Sequence, residues 1–386
     1  MNCGFGTEGG IDIAITADGK RVVDVAITNS RPLGITSRLA GLTPDATLGR
    51  IVSLFSVCRI AQGLAGRRAV EQALGIDLGP PHEAARSLLL RAETALDHAT
   101  CALLVWPVLL GKSPTAFHAL KALRASLADL WTCLYPDGDW MRPGGGRLAP
   151  DKTALAARLD VAESAIAEAC LTLPLDPICW RDWVRAAAGP AAELFVLLEQ
   201  RNWQSFGATE VKLLGSPDSG ALERRLAADR DGSFVAQPKW QGEPRETGPL
   251  TRRFNHPLVS AVINQHGRGL TARFLAQCVE TISCIVEMRD LAEKIYADTP
   301  SPMPQREGVG LGIVEAARGL LAHRVEIVDG HIRRYQILAP TEWNFHPRGA
   351  LAQGLLETGP WHSNECLVKL LVTALDPCVP YRIAMS

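Results

Sequence analysis

Residues 11–27 read IDIAITADGKRVVDVAI: Ile11, Ile13 and Ile15 alternate with other residues, Asp18-Gly19 interrupts, and Val23, Val25 and Ile27 resume the alternation. A period of two puts the apolar side chains on one face of a strand, and Asp-Gly accepts the positive φ of a tight turn. The stretch predicts a β-hairpin. A second hairpin is predicted over residues 323–338, HRVEIVDGHIRRYQIL, where Val325 and Ile327 precede Asp329-Gly330 and Tyr335 and Ile337 follow. Between the two the period turns helical. In AARSLLLRAETALDHATCALLVW, Leu89, Ala92, Leu96, Ala99, Leu103 and Trp106 recur at steps of three and four, which makes one apolar face. Further helices are predicted over residues 113–135, 151–171, 179–200 and 270–297.

Two segments break the pattern. Residues 137–150 and 214–250 are rich in Gly, Pro and charge, and read as a loop and as a long surface excursion with little core of its own. The fold class expected is α+β and predominantly helical, as one large unit over 1–386. With 47% hydrophobic and 21% charged residues the composition is that of a core-forming protein, and a net charge of −1 favours neither nucleic acid nor an anionic membrane as partner. The longest apolar run, residues 101–110, contains Pro107 and is too short to span a bilayer. The first residues lack a secretory pattern, so a cytoplasmic protein without membrane insertion is expected. The ten cysteines form no CxxC pair, and reduced thiols are expected rather than a disulfide framework.

Several short motifs, taken in order, resemble the large subunit of nickel–iron hydrogenases. That family carries R-x-C-G-x-C-x-x-x-H near one end and D-P-C-x-x-C-x-x-H near the other. Here Asp376, Pro377 and Cys378 match the second motif, with Tyr381 and Ala384 in place of its last cysteine and histidine. Cys58 matches the second cysteine of the first motif, with Ser53, Phe55 and Gln62 in place of its arginine, first cysteine and histidine. GTEGGIDI (6–13), EAARGLLAH (315–323) and LAPTEWNFHPRGA (338–350) resemble three further family stretches, keeping Glu8, Arg318, Pro340 and Thr341. The resemblance is clear over 1–110 and over 305–386, the hairpin and metal-motif portion. It is looser over 250–297, and the helical and loop portion 112–249 is divergent.

The resemblance implies a helix bundle flanked by small sheets, and a metal pocket built from both motifs. In the family the first cysteine of each motif binds nickel and the second bridges nickel and iron. Only Cys58 and Cys378 remain here, so the four-thiolate nickel site is incomplete. Nickel and hydrogen turnover are not expected, and Phe55 and Tyr381 should occupy the volume of the missing cysteines. What remains resembles an iron half-site, with Arg318 and the Pro340-Thr341 turn as donors to the cyanide ligands of an Fe(CN)2CO unit. The pattern is most similar to accessory paralogues of that subunit, the HupK type. It implies a non-catalytic scaffold or chaperone in hydrogenase maturation, with maturation proteins or a hydrogenase large subunit as partners.

Other readings stay open at this level. Cys58 and Cys378 could be ordinary buried thiols. Glu8 could relay protons or pair locally, and Arg318 could bridge Glu315, three residues before it on a helix. Cys3 or Tyr381 could assist an atypical redox centre, and a purely structural subunit would need no metal. His98, His256, His266 and His323 show no metal-ligand spacing and read as core or surface histidines. Trp343 and Asn344 read as packing and turn residues. Gly308, Gly310 and Gly312 lack the G-x-G-x-x-G order and βαβ context of a dinucleotide loop.

Overall fold

The computed structural model describes residues 9–30, 33–55, 57–169, 176–186, 189–299, 307–357 and 364–386. Strands β1 (Ile11–Ala17) and β2 (Val22–Asn29) form the first predicted hairpin. Helices α1 (Pro44–Leu54), α2 (Arg59–Leu74) and α3 (Pro80–Thr100) follow; α3 runs through one π-helical turn, Cys101–Val105, into α4 (Trp106–Leu109). Then come α5 (Phe117–Leu127), α6 (Lys152–Glu168), α7 (Pro177–Ala186), α8 (Pro190–Gln200), α9 (Ser219–Ala228), α10 (Ser233–Ala236), α11 (Pro249–Arg253), α12 (Pro257–His266) and α13 (Leu270–Glu293). Strands β3 (Val309–Ala316), β4 (Gly319–Val328) and β5 (His331–Leu338) make an antiparallel meander. The chain closes with α14 (Pro340–Asn344), α15 (Ala350–Leu356), α16 (Glu365–Leu375) and β6 (Tyr381–Met385).

This is the expected α+β, mainly helical class. Two expected single helices are broken, each for a local reason. Residues 113–135 divide at Asp129, which adopts φ 54°. Residues 179–200 divide at Gly189-Pro190, where φ of 89° and a proline at the first helical position restart the helix. The segment 214–250 departs further from expectation. It carries α9 and α10, and Leu214, Leu222, Leu226 and Val235 bury themselves against Leu320, Ala322, Leu338 and Trp343 of the β3–β5 sheet and α14. Its apolar residues are spaced too widely among charges to show as a core in the sequence. The main core lies between α3 and α13, where Trp106 meets Phe274 edge-on at 4.9 Å. No helix among the described residues is long and apolar enough to cross a membrane.

Two contacts position the site. First, β6 pairs in parallel with β1, Ile11 opposite Tyr381 through Ile15 opposite Met385, which ties the segment after Cys378 to the start of the chain. Second, β3 lies along α2 at backbone distance. A Cβ on Gly310 would fall 1.9 Å from the Ala69 carbonyl oxygen, and one on Gly312 would fall 1.9 Å from that of Ala65. Two strand residues advance about 6.6 Å and four helical residues about 6 Å, so Gly310 and Gly312 stay in step with Ala69 and Ala65. Leu311 N–H donates to Gln72 Oε1 at 2.5 Å, and Arg68 Nη1 donates to the Ile313 carbonyl at 2.8 Å. Helix side chains thus satisfy the strand edge that has no neighbouring strand. The same count carries the end of β3 to the start of α2.

Gly312→Ala should cost about 3 kcal/mol of unfolding free energy, because backbone on both sides of the contact has to move. Gly49→Ala, on α1 with nothing within 4 Å of the added methyl, should instead stabilise by about 0.5–1 kcal/mol. Urea unfolding monitored by circular dichroism reads both. A neutral Gly312→Ala would show that the α2–β3 contact is looser than described.

Candidate functional site

The start of α2, the Ala317-Arg318 turn between β3 and β4, the middle of α3, and the segment after α16 converge. Cys58 is the N-cap of α2 and makes no side-chain capping bond. The capping comes from another helix: Glu93 of α3 accepts Ile60 N–H at 2.6 Å and Ala61 N–H at 2.9 Å. A carboxylate at a helix N-terminus is favoured by both free N–H groups and the helix dipole. Burial and the charge of Asp97 one turn along nevertheless raise the Glu93 pKa to about 8, against those two bonds and Arg318.

Arg318 is mostly buried and its guanidinium is enclosed by carboxylates. Nη1 donates to Asp97 Oδ2 at 2.7 Å, while Nε and Nη2 lie 3.1 and 3.4 Å from the two oxygens of Asp376. Burial opposes its charge, but Asp376 and Asp97 outweigh that and hold it firmly protonated. Arg318 does not bridge Glu315. The EAARG stretch is a strand and turn rather than a helix, and Glu315 is held by Arg252 at 3.0 Å. The strand was hidden because Gly310 and Gly312 occupy buried positions where a strand usually shows apolar residues.

The Cys378 segment follows from three consecutive residues. Asp376 ends α16 in the left-handed region, φ 47°, a conformation asparagine and aspartate tolerate better than most residues. Pro377 bars continuation of the helix. Cys378 is then met by Thr341, in the first turn of α14 behind Pro340. Thr341 Oγ1 lies 3.1 Å from Cys378 Sγ and accepts the Cys378 N–H at 3.4 Å. Pro340 and Thr341 are buried. Burial raises the Cys58 thiol pKa first, the charges of Cys378 and Glu93 add to it, and Arg318 opposes them. The two thiols and the guanidinium therefore share one electrostatic environment. Both thiols are half-buried and unpaired in any disulfide.

The substituted positions are placed as follows. Gln62 is buried one turn into α2; its Nε2 points at Cys58 Sγ, 3.7 Å away, and its Oε1 meets His323 Nε2 at 2.8 Å. Phe55 caps α1 and packs partly buried against the main core. Tyr381, in β6, is partly buried and packs against the main core, with Thr373 of α16 near its hydroxyl. Glu8 and Cys3 lie outside the described residues.

Three residues escaped the sequence reading, Glu93, Asp97 and Cys101, and His323, read as a core or surface histidine, is buried beside Gln62. Cys101 opens the π turn after α3, and burial, Asp376 and Asp97 raise its thiol pKa against Arg318. Glu93 and Asp97 sit on α3 among other charged residues, Glu83, Arg86 and Arg91, so nothing in the sequence singles them out. Among the described residues no three His, Cys, Asp or Glu side chains form a group able to hold a metal ion by themselves.

Comparison with known proteins agrees with this architecture. The family model for nickel-dependent hydrogenase matches residues 200–379, beginning within the stretch 112–249 where no resemblance was visible by motif. The hydrogenase expression/formation protein HupV of Azotobacter chroococcum is 32% identical, with 94% of each chain covered. The hydrogenase expression/formation protein HupK of Azotobacter vinelandii is 30% identical, again over 94% of each. Among solved structures, the Ni-Fe-Se hydrogenase of D. vulgaris Hildenborough superposes with a TM-score of 0.71 at 18% identity over 94% of each chain, a likeness of fold. The chain belongs to the nickel-dependent hydrogenase large-subunit superfamily, within its group of HupK-type expression/formation proteins.

Proposed function

We propose that this chain is a non-catalytic accessory protein of hydrogenase maturation that holds an Fe(CN)2CO unit between Cys58 and Cys378 before handing it on. The accessory role follows from its relatives, hydrogenase expression/formation proteins matched over nearly their whole length. The scaffold role rests on one observation. Cys58 and Cys378, the cysteines kept from the two motifs, interact electrostatically with each other and with Arg318, and Thr341 meets Cys378, while in the sequence Phe55 and Tyr381 replace the other two cysteines of those motifs.

The donor set suits such a cargo. An iron that brings three diatomic ligands asks little more of its carrier than two soft thiolates. The guanidinium has five N–H groups. Nη1 and Nη2 each hold a carboxylate oxygen through one hydrogen, while Nε lies 3.1 Å from Asp376 Oδ2 without a hydrogen bond to it, so the second hydrogens of Nη1 and Nη2 would serve cyanide nitrogens. Thr341 supplies a hydroxyl beside Cys378. Because its pKa is raised, the Cys58 thiol keeps its proton until metal arrives, and ligation then expels that proton. Partners of this role are the maturation proteins that supply the unit and the hydrogenase large subunit that receives it.

Protein purified anaerobically from its native host should show infrared CN and CO bands without stoichiometric nickel. Cys58→Ala and Cys378→Ala should each abolish the bands while costing only about 1 kcal/mol of stability, since a small volume is removed. Bands that persist in both variants would sink the two-thiol site.

Joint Phe55→Cys and Tyr381→Cys substitution should raise nickel affinity by restoring four sulfurs, with little hydrogen turnover, since Gln62 and Ala384 still replace the histidines. Isothermal titration with nickel reads the first, and hydrogen uptake the second. Unchanged nickel affinity would show that the four positions do not converge.

A further inference from the structure

Behind Cys58 runs a line of three buried polar side chains. Tyr335, His323 and Gln62 are 4%, 0% and 1% exposed. The Tyr335 hydroxyl lies 2.7 Å from His323 Nδ1, His323 Nε2 lies 2.8 Å from Gln62 Oε1, and Gln62 Nε2 lies 3.7 Å from Cys58 Sγ. Gly66, one turn beyond Gln62, makes room for it. A Cβ there would stand 2.8 Å from the Tyr335 hydroxyl and 3.2 Å from Leu48 and Ile51, so the glycine admits Tyr335 against α2.

The chemistry gives this line a direction. An amide oxygen only accepts, so His323 Nε2 carries a hydrogen and donates to Gln62. In the neutral ring Nδ1 then accepts, and the buried Tyr335 hydroxyl donates to it. Burial raises the Tyr335 pKa well above its usual value, so the hydroxyl keeps its hydrogen. Reversing the line would turn Gln62 Oε1 toward the sulfur and leave the Tyr335 O–H without that acceptor in a buried place, at the full cost of an unmade bond. In the favoured direction the sulfur is the final acceptor, as a metal-bound thiolate is.

We propose that Tyr335, His323 and Gln62 form an uncharged, one-directional hydrogen-bond line that ends as an N–H donor on the Cys58 sulfur and positions it as the ligating thiolate. The proposal rests on the reading that Cys58 binds the iron cargo, and it adds the reason for an amide at position 62. An imidazole there would bring a nitrogen able to ligate metal or carry a positive charge. The amide does neither, so it supports the bound thiolate without becoming a further ligand that the cargo would have to leave.

Cadmium serves as the probe, since it is a soft ion whose thiolate bonds absorb in the ultraviolet. Gln62→Glu keeps the shape and the acceptor toward His323 but removes the donor toward sulfur. It should lower cadmium affinity, measured by chelator competition, about ten- to a hundredfold. Tyr335→Phe should lower it in the same direction by a smaller factor. Nitrogen-15 spectra of the unmodified protein should show His323 as the Nε2–H tautomer. Cadmium affinity unchanged in both variants, with folding verified by circular dichroism, would overturn the proposal, as would an Nδ1–H tautomer. A lower melting temperature for Tyr335→Phe at unchanged affinity would overturn it too, because it would leave the line a structural role only. If Cys58→Ala binds cadmium as tightly as the unmodified chain, the cargo site itself is wrong and this inference falls with it.

Discussion

The backbone-to-backbone approach of strand β3 to helix α2 is the constraint on which the site depends. Glycines at alternate strand positions and alanines at every fourth helical position let two backbones meet without side chains between them. The near-equal advance of two strand residues and four helical residues keeps the contact in step. Because the contact is in register, it works as a ruler. It fixes the hairpin turn that carries Arg318 relative to the helix start that carries Cys58, although the two are far apart in sequence. A helix and strand separated by ordinary side chains would leave this distance to packing, with the latitude of rotamers.

Around that ruler the charges are arranged so that the guanidinium never stands alone. Asp97 comes from α3 and Asp376 from the end of α16, so two elements that do not belong to the hairpin converge on its turn. A buried cation with two anchored carboxylates is costly to disturb, since removing one partner strands a charge. Glu93 adds a further carboxylate. Its proton at neutral pH keeps the pocket from accumulating a third full negative charge beside two thiols.

What could be read from sequence was what is local. The Asp329-Gly330 turn has both residues at positive φ, as its residue types foretold. Asp376-Pro377-Cys378 could be read because helix termination and the thiol lie within three residues. Arg318 was found by motif, but the alternative that paired it with Glu315 on a helix fails, because EAARG carries helix formers and the strand's buried positions are glycines. The participation of Glu93 was not legible, and His323 could be read only as a core or surface histidine: one acts across the gap between two helices and the other through a contact with α2. Neither leaves a periodic trace. The excursion 214–250 was misread for a related reason, since its apolar residues find their core on a sheet formed by residues about a hundred positions later.

The pairing of β6 with β1 has a consequence for the order of folding. The two strands are among the most distant in sequence of all that pair, Ile11 opposite Tyr381 through Ile15 opposite Met385. Closing so long a loop costs chain entropy before the ladder returns any hydrogen bonds, so the partner elements have to be largely assembled before this edge can form. The segment that carries Cys378 therefore takes its place through a non-local contact rather than through the helix that precedes it.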